Sequence, residues 1–268
     1  MPTRQSEPFR QRQAAESFGA DAERYDRSRP RYPAALIDRI VDRSPGRDVL
    51  DVGIGTGIVA RQLRAAGCRV LGVEPDPRMA AFARAGGLQV DVSTFEAWDP
   101  AGRTFDAVVA GQTWHWVDPD AGAAKAAAVL RPGGLLALFW NAGQPSAPAA
   151  AAFAEVYERL MPGSVAAKLY RSPASAAAVY LGGFDKVEEA LRATGAFAAD
   201  GERWSFEWEQ VYTAAEWIDQ VLTLGTNTSL PPEQSAALVS AMADAVDALG
   251  GSFTMHFTTV ATTALRRA

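Results

Sequence analysis

The sequence predicts an α/β fold: a Rossmann-like, doubly wound sheet of seven mostly parallel strands, with helices on both faces and an added helical lid. Three observations carry this expectation. Between Asp48 and Asn141, short apolar runs alternate with amphipathic stretches, the pattern of right-handed β–α–β crossovers. Three glycines, Gly53, Gly55 and Gly57, separate the first apolar run from the helix that follows. Two further segments near the C-terminus alternate in strand fashion and complete the sheet.

The elements follow in order. "DVLDVG" is a short buried strand, and "IVARQLRAAG" is an amphipathic helix stopped by Gly67. "RVLGVEP" and "DPRMAAFARAG" repeat the strand–helix pair, and "LQVDVST" alternates as a third strand. "FDAVVAGQ" is the fourth strand, "DPDAGAAKAAAVL" an alanine-rich helix and "GGLLALFW" the fifth strand. "RPGG" before it suits a turn, with Pro132 and Gly133 central. "AGQPSAPAA" reads as a connection. Beyond it, "AAFAEVYERLM", "KVEEALRATG", "AAEWIDQVLTL" and "PPEQSAALVSAMADAVDALG" read as helices. "ERWSFEWEQVY" is a strand with Trp204, Phe206 and Trp208 on one face, and "SFTMHFTTVATTAL" is the last strand.

The expected organisation is a flexible N-terminal tail over 1–16, a ligand-binding core with an N-terminal cap over 17–145, and a C-terminal half over 146–268. That half carries an acceptor-binding lid and the final two strands. A net charge of -5 over 268 residues gives no electrostatic case for nucleic acid or an anionic membrane. The basic cluster Arg24, Arg27, Arg29 and Arg31 reads as a solvated face. One cysteine, Cys68, precludes a disulfide within the chain and has no activating partner in sequence. Without a secretory signal or an apolar span, the expected location is the cytoplasm. No cluster has metal-ligand spacing, so no metal is expected.

The glycine loop decides the ligand. A dinucleotide fingerprint needs glycine at its first, third and sixth positions; counted from Gly53, the sixth is Ile58. No Gly-Lys-Ser/Thr follows, so a triphosphate loop is missing too. Asp51 lies in the strand two residues before Gly53, where its carboxylate would repel a phosphate and pair with a cation. Glu74 closes the second strand, placed to accept from the hydroxyls of a ribose. A ribose plus a cationic amino-acid tail, without phosphate, describes S-adenosylmethionine. The structural alternative is a bare tight turn, with Glu74 capping the next helix.

On "VLDVGIGTG", "GVEPDPRM", "LRPGGLLAL" and "WHWVD", the chain resembles the class I S-adenosylmethionine-dependent methyltransferases. It looks most like the small-molecule branch of trans-aconitate methyltransferase-like enzymes. "SFGADAERYDRSRPRYPAAL" and "LTLGTNTSL" extend the likeness to most of the chain. The resemblance implies that Asp51, Gly53, Gly55 and Gly57 face the methionine part of the cofactor. Glu74 then binds the ribose, with Pro75 and Met79 packing nearby, and Thr94 and Phe95 clasp adenine. Many relatives have Asp where Thr94 stands, so that contact is weaker here; Glu96 braces the loop. Tyr25 and Arg29 close over the cofactor, with ordinary helix packing as the alternative for Tyr25 and Tyr32. Gly111 and Gln112 lie beneath the methyl donor.

His115, flanked by Trp114 and Trp116 after the fourth strand, suits a general base, or else a packed residue that orders the loop. His256 alternates with apolar residues and reads as structural. Tyr170, Tyr180, Phe184, Trp204 and Trp217 are candidates to line an acceptor pocket, with core packing as the alternative for each. No Asn-Pro-Pro-aromatic segment follows the fourth strand, which disfavours a nucleic-acid base as acceptor. The function expected is methyl transfer to an oxygen of a small molecule, ahead of nitrogen or carbon, with the oligomeric state left open. An NAD(P)-dependent oxidoreductase and a non-catalytic S-adenosylmethionine-binding protein are the competing readings.

Overall fold

A computed structural model describes residues 19, 21–171, 176–198, 201–224, 227 and 230–268. The tail expected over 1–16 and part of "LTLGTNTSL" lie outside the described residues. The seven strands are β1 (Asp48–Val52), β2 (Arg69–Glu74), β3 (Gln89–Val92), β4 (Phe105–Gly111), β5 (Leu130–Pro145), β6 (Arg203–Thr213) and β7 (Ser252–Leu265). They form one sheet in the order β3-β2-β1-β4-β5-β7-β6. The first five strands pair in parallel, and β7 runs antiparallel to both of its neighbours. Strand order reverses between β1 and β4, so a crevice opens at their carboxyl ends.

The helices are α1 (Ala22–Ser28), α2 (Ala34–Arg43), α3 (Ile58–Ala65), α4 (Pro77–Ala85), α5 (Pro119–Val129), α6 (Ala147–Leu160), α7 (Val165–Arg171), α8 (Ala176–Ala193), α9 (Ala214–Leu222) and α10 (Pro232–Ala248). Capping side chains fix several of their starts. Asp76 accepts from the Arg78 N–H, and Asp118 accepts from Asp120 and Ala121, each ahead of a proline in the first turn. A reciprocal Thr213–Glu216 pair starts α9. One core face of the sheet buries Leu50, Val108 and Leu136 among others, and the opposite face buries Leu36, Ile40 and Phe139. Each such side chain contributes about 2 kcal/mol of burial.

Two readings from the sequence are corrected. The "AGQPSAPAA" stretch is not a connection: β5 runs on through Pro145 before α6 starts at Ala147. The long β7 partners it throughout, from Leu135↔Leu265 to Pro145↔Met255. "RPGG" is not a turn ahead of a strand but a bulge inside β5. Pairing jumps from Phe105↔Leu130 to Ala107↔Leu135, and Gly133 takes a φ of 75°. The sequence also left α7 unread, and α8 begins earlier than "KVEEALRATG". The alternation in β6 holds, with Trp204 buried and Ser205, Glu207 and Glu209 exposed.

Candidate active site

A cavity of about 690 Å³ opens at the carboxyl ends of β1 and β4. The glycine loop and the 111–116 segment form its floor, α1 closes one side, and α6, α7 and α9 roof the rest. Beside it lies a slot of about 50 Å³, lined by Pro75, Thr94, Phe95 and Glu96 among others. The two share Gly53, Thr113 and Trp116, so one ligand can span both.

Loop geometry explains two of the glycines. Gly53 has a φ of 66°, and a Cβ there would sit 2.1 Å from the Thr113 methyl. Gly57 has a φ of 90°, and its Cβ would meet Leu88 at 2.2 Å. Four of the loop's N–H groups are turned inward. Gly53 and Ile54 donate to the Val73 carbonyl, Gly57 to the Ile54 carbonyl, and Gly55 to Glu74 Oε2 at 2.9 Å. A loop built to cradle phosphate aims those donors at its ligand instead.

The two acids differ in placement. Asp51 lines the large cavity, is 1% exposed, and its Oδ2 has no hydrogen-bond partner. Burial, reinforced by the nearby Glu74 and partly offset by the Ala60 N–H, pushes its pKa up to about 8. Glu74 lines neither cavity. Its carboxylate accepts from Gly55 N–H and, at 3.0 Å, from Asp76 N–H, and so splints the glycine loop to the end of β2. Burial raises its pKa to about 7, against the lowering effect of those two bonds. In this structure Glu74 holds the loop through these two bonds.

The remaining predicted residues divide between the two spaces. Tyr25 and Arg29, from α1 and its C-terminal end, line the cavity with Gly55. The Arg29 guanidinium lies 4.7 Å from the Tyr25 ring centroid and donates to the Thr223 carbonyl at 2.5 Å. Gln112 lines the cavity with a left-handed φ of 56°, its amide donating to the Asn141 carbonyl at 3.1 Å. Thr94, Phe95 and Pro75 line the slot, and Phe95 packs 5.9 Å from the Trp114 ring. Glu96 accepts from the Asp118 N–H at 3.0 Å, tying the slot to the start of α5. Met79 is buried in α4 and lines neither space.

His115 lines the large cavity from the short 3₁₀ turn Trp114–Trp116. Trp140 donates its indole N–H to His115 Nδ1 at 3.3 Å. His115 is an exposed residue of this turn, yet desolvation of its ring by the neighbouring side chains pushes its pKa down to about 4. A neutral ring whose Nδ1 accepts carries its proton on Nε2. The free nitrogen is therefore a donor, which does not suit the general-base role expected from the sequence.

Of the five aromatics expected in the acceptor wall, Tyr170, Tyr180 and Trp217 line the cavity. Phe184 and Trp204 do not: both are core residues, with Trp204 covered by the Arg39 guanidinium at 4.5 Å. His256, exposed on β7, pairs with Glu209 of β6 at 2.9 Å and does not line the cavity. Sequence reasoning missed Asn141, Gln220, Met255 and Phe257, all in the cavity wall. Gln220 alone left a signal, as a polar residue on the apolar stripe of "AAEWIDQVLTL".

Residues 50–138 match the methyltransferase domain family. Over those residues the chain is similar to a methyltransferase domain. An uncharacterized methyltransferase of Mycobacterium tuberculosis is 41% identical over 127 residues, 47% of this chain and 52% of the relative. A ubiquinone biosynthesis O-methyltransferase of Methylocella silvestris is 38% identical over 98 residues, 34% of this chain and 38% of the relative. The chain thus spans about half the length of the first of these curated relatives, and less of the second. Among solved structures, one described as a type II methyltransferase from Anaeromyxobacter dehalogenans aligns with a TM-score of 0.63 at 24% identity, over 88% of this chain and 97% of that one. The YcgJ protein of Bacillus subtilis aligns with a TM-score of 0.50 at 16% identity, over 88% and 98%. At these identities the structures share the fold.

The methyltransferase domain's cofactor fits the residues present. The buried, unpartnered Asp51 oxygen calls for a donor or a cation, which an ammonium supplies. Thr56 adds a second buried hydroxyl without a partner in the same wall. Space over Gly53 is closed to a Cβ by the Thr113 side chain. No described helix of the domain or the lid is long and apolar enough to cross a membrane.

Proposed function

We propose that the protein transfers the methyl group of S-adenosylmethionine to an oxygen of a small molecule held under the lid, ahead of nitrogen or carbon. One observation carries the reading. A large cavity and a narrow slot meet over Gly53 and Thr113, with the unpaired Asp51 carboxyl beneath. The relatives named as O-methyltransferases support oxygen. A single, buried cysteine is compatible with a cytoplasmic location.

When bound, S-adenosylmethionine would supply a methyl group on cationic sulfur to the acceptor oxygen, with the S–CH₃ bonding pair left on sulfur and the hydroxyl proton released to solvent. Asp51 would meet the ammonium, and the oxygen lone pairs left on Glu74 would receive ribose hydroxyls. Thr94, Phe95 and Pro75 would hold adenine in the slot, with Met79 behind them. Tyr25 and Arg29 would close over the methionine arm, and Gln112 would lie under the reacting sulfur. His115 would donate its Nε2–H to the acceptor oxygen and favour its ionised form. Alignment and exclusion of water are then the main catalytic contributions.

The oxidoreductase reading is opposed by the inward-turned loop N–H groups, which leave a pyrophosphate without a nest. A non-catalytic sensor has no use for the open space beyond the cofactor end. Isothermal titration with S-adenosylmethionine tests the assignment directly, with micromolar affinity expected. Glu74→Ala should abolish it or weaken it greatly. Unchanged affinity in a folded Glu74→Ala protein would remove the ribose assignment, and binding of reduced nicotinamide cofactor instead would remove the whole reading.

A further inference from the structure

From Leu135 to Ala142 every residue of β5 is buried, and Asn141 is the one amide side chain in that run. A buried amide is costly unless both of its ends are bonded. Here both are, and in a fixed direction. The Trp208 indole, which can only donate, gives its N–H to Thr259 Oγ1 at 2.8 Å. Thr259 is fully buried, and its single hydroxyl proton goes to Asn141 Oδ1 at 2.7 Å. Asn141 Nδ2 is thereby turned the other way and donates to the Arg31 carbonyl at 3.1 Å. Donor follows donor from β6 through β7 and β5 to the segment 29–33 that joins α1 to α2. That segment is neither helix nor strand, so its polar groups need partners from elsewhere. Gln62 of α3 holds the next residue, accepting from the Tyr32 N–H at 3.1 Å and donating to the Tyr32 carbonyl at 2.7 Å. Arg29, Pro30 and Tyr32 of this segment line the cavity.

We propose, resting on the cofactor reading above, that Asn141 is a positioning residue: it fixes the segment 29–33 against the cofactor, and Trp208 and Thr259 set the direction of its amide. Neither Trp208 nor Thr259 lines the cavity or the slot, so both act through Asn141. The direction matters because Thr259 could otherwise accept from Asn141. A flipped amide would turn its oxygen to the Arg31 carbonyl, and two acceptors would face each other without a proton between them. The indole of Trp208 removes that option by occupying the acceptor side of the hydroxyl. An apolar residue would fill position 141 at lower cost, so the contribution of the amide lies in the bond at its far end. The same residue also meets Gln112, whose amide donates to the Asn141 carbonyl at 3.1 Å. One strand position thus holds two parts of the cavity wall, Gln112 directly and Arg29 to Tyr32 through the Arg31 carbonyl.

The experiment pairs amide exchange, followed by NMR on the ligand-free full chain, with calorimetric titration of S-adenosylhomocysteine. Thr259→Val keeps the branched shape and removes the hydroxyl. Exchange of the Tyr32 N–H should then quicken about fivefold or more relative to the amides of β4, and affinity should fall about fivefold or more. Thr259→Ser keeps the hydroxyl and should restore both. Trp208→Phe should move both in the same direction as Thr259→Val. A uniform rise in exchange across the sheet would mark a role in the fold alone and overturn the inference. Unchanged Tyr32 exchange in Thr259→Val would overturn it too, as would unchanged affinity beside faster exchange. A Trp208→Phe protein that behaves as the unmodified one would overturn the directional part. Failure of the unmodified protein to bind S-adenosylhomocysteine would instead overturn the cofactor reading, with Tyr32 exchange still deciding whether Asn141 holds the segment.

Discussion

The indole N–H of Trp140 and Nδ1 of His115 form a hydrogen bond of 3.3 Å that decides which imidazole nitrogen is free. Burial already disfavours the imidazolium, with the pKa brought down to about 4. The chain has two histidines, so NMR resonances are assigned by single replacement. We expect the His115 ring signals to stay constant between about pH 5 and 8. Trp140→Phe removes a bond made only to the neutral ring and should move the titration up toward the ordinary histidine range. A His115 that titrates near its ordinary value in the unmodified protein would restore the general-base role.

Gly53→Ala tests the close approach of the loop to its ligand. The left-handed φ costs an L-residue about 1–2 kcal/mol, and the new Cβ would stand 2.1 Å from the Thr113 methyl. We expect a stability loss of about 2 kcal/mol in urea unfolding and at least a roughly tenfold loss of S-adenosylmethionine affinity. Adding Thr113→Ser removes the methyl and should return part of the stability. Full recovery in the double variant would show that the backbone conformation costs nothing.

Much of this was legible in the sequence, for identifiable reasons. Buried parallel strands read as apolar runs, and the glycine spacing reported a loop whose backbone is left-handed at Gly53, Gly55 and Gly57. Partner-dependent features were not legible. "AGQPSAPAA" is strand because β7 pairs with it, and nothing local to Ala142 or Gly143 announces that partner. The acidic ends of β1 and β2 could be located from spacing, but not that Glu74 would first be engaged by Gly55. Phe184 and Trp204 resemble Tyr170 and Trp217 in composition; only packing separates core from pocket wall.

The N-terminal cap is tied to the lid through Asp219. Arg27 meets it at 2.8 Å and Arg24 at 3.3 Å, while Arg29 reaches the Thr223 carbonyl one turn further on. The arginine pairs are partly exposed, so Asp219→Ala should change stability by less than about 1 kcal/mol. Cofactor affinity should nevertheless fall several-fold, because α1 carries Tyr25 and leads into Arg29. Added salt should weaken binding in the unmodified protein and do so less in the variant. Equal affinity and equal salt dependence in both would detach the cap from cofactor binding.

The buried acids predict opposite pH trends for stability and for ligand affinity. Asp51 rises from an ordinary 3.8 to about 8, and Glu74 from 4.5 to about 7. Between these limits the native chain holds protons that the unfolded chain has released. Stability of the ligand-free protein from these two groups is therefore full below about pH 4. It is lost as pH rises through 7 to 8, where both acids ionise in the folded state. A cationic ligand reverses the preference, since it stabilises the ionised carboxylates. Binding should release protons below that range and strengthen as pH rises toward it. Titrations in two buffers of different ionisation enthalpy measure the release, and Asp51→Asn should reduce both slopes. An anionic ligand on this loop would bind more weakly as pH rises, so the sign of the slope separates a sulfonium nucleoside from a pyrophosphate.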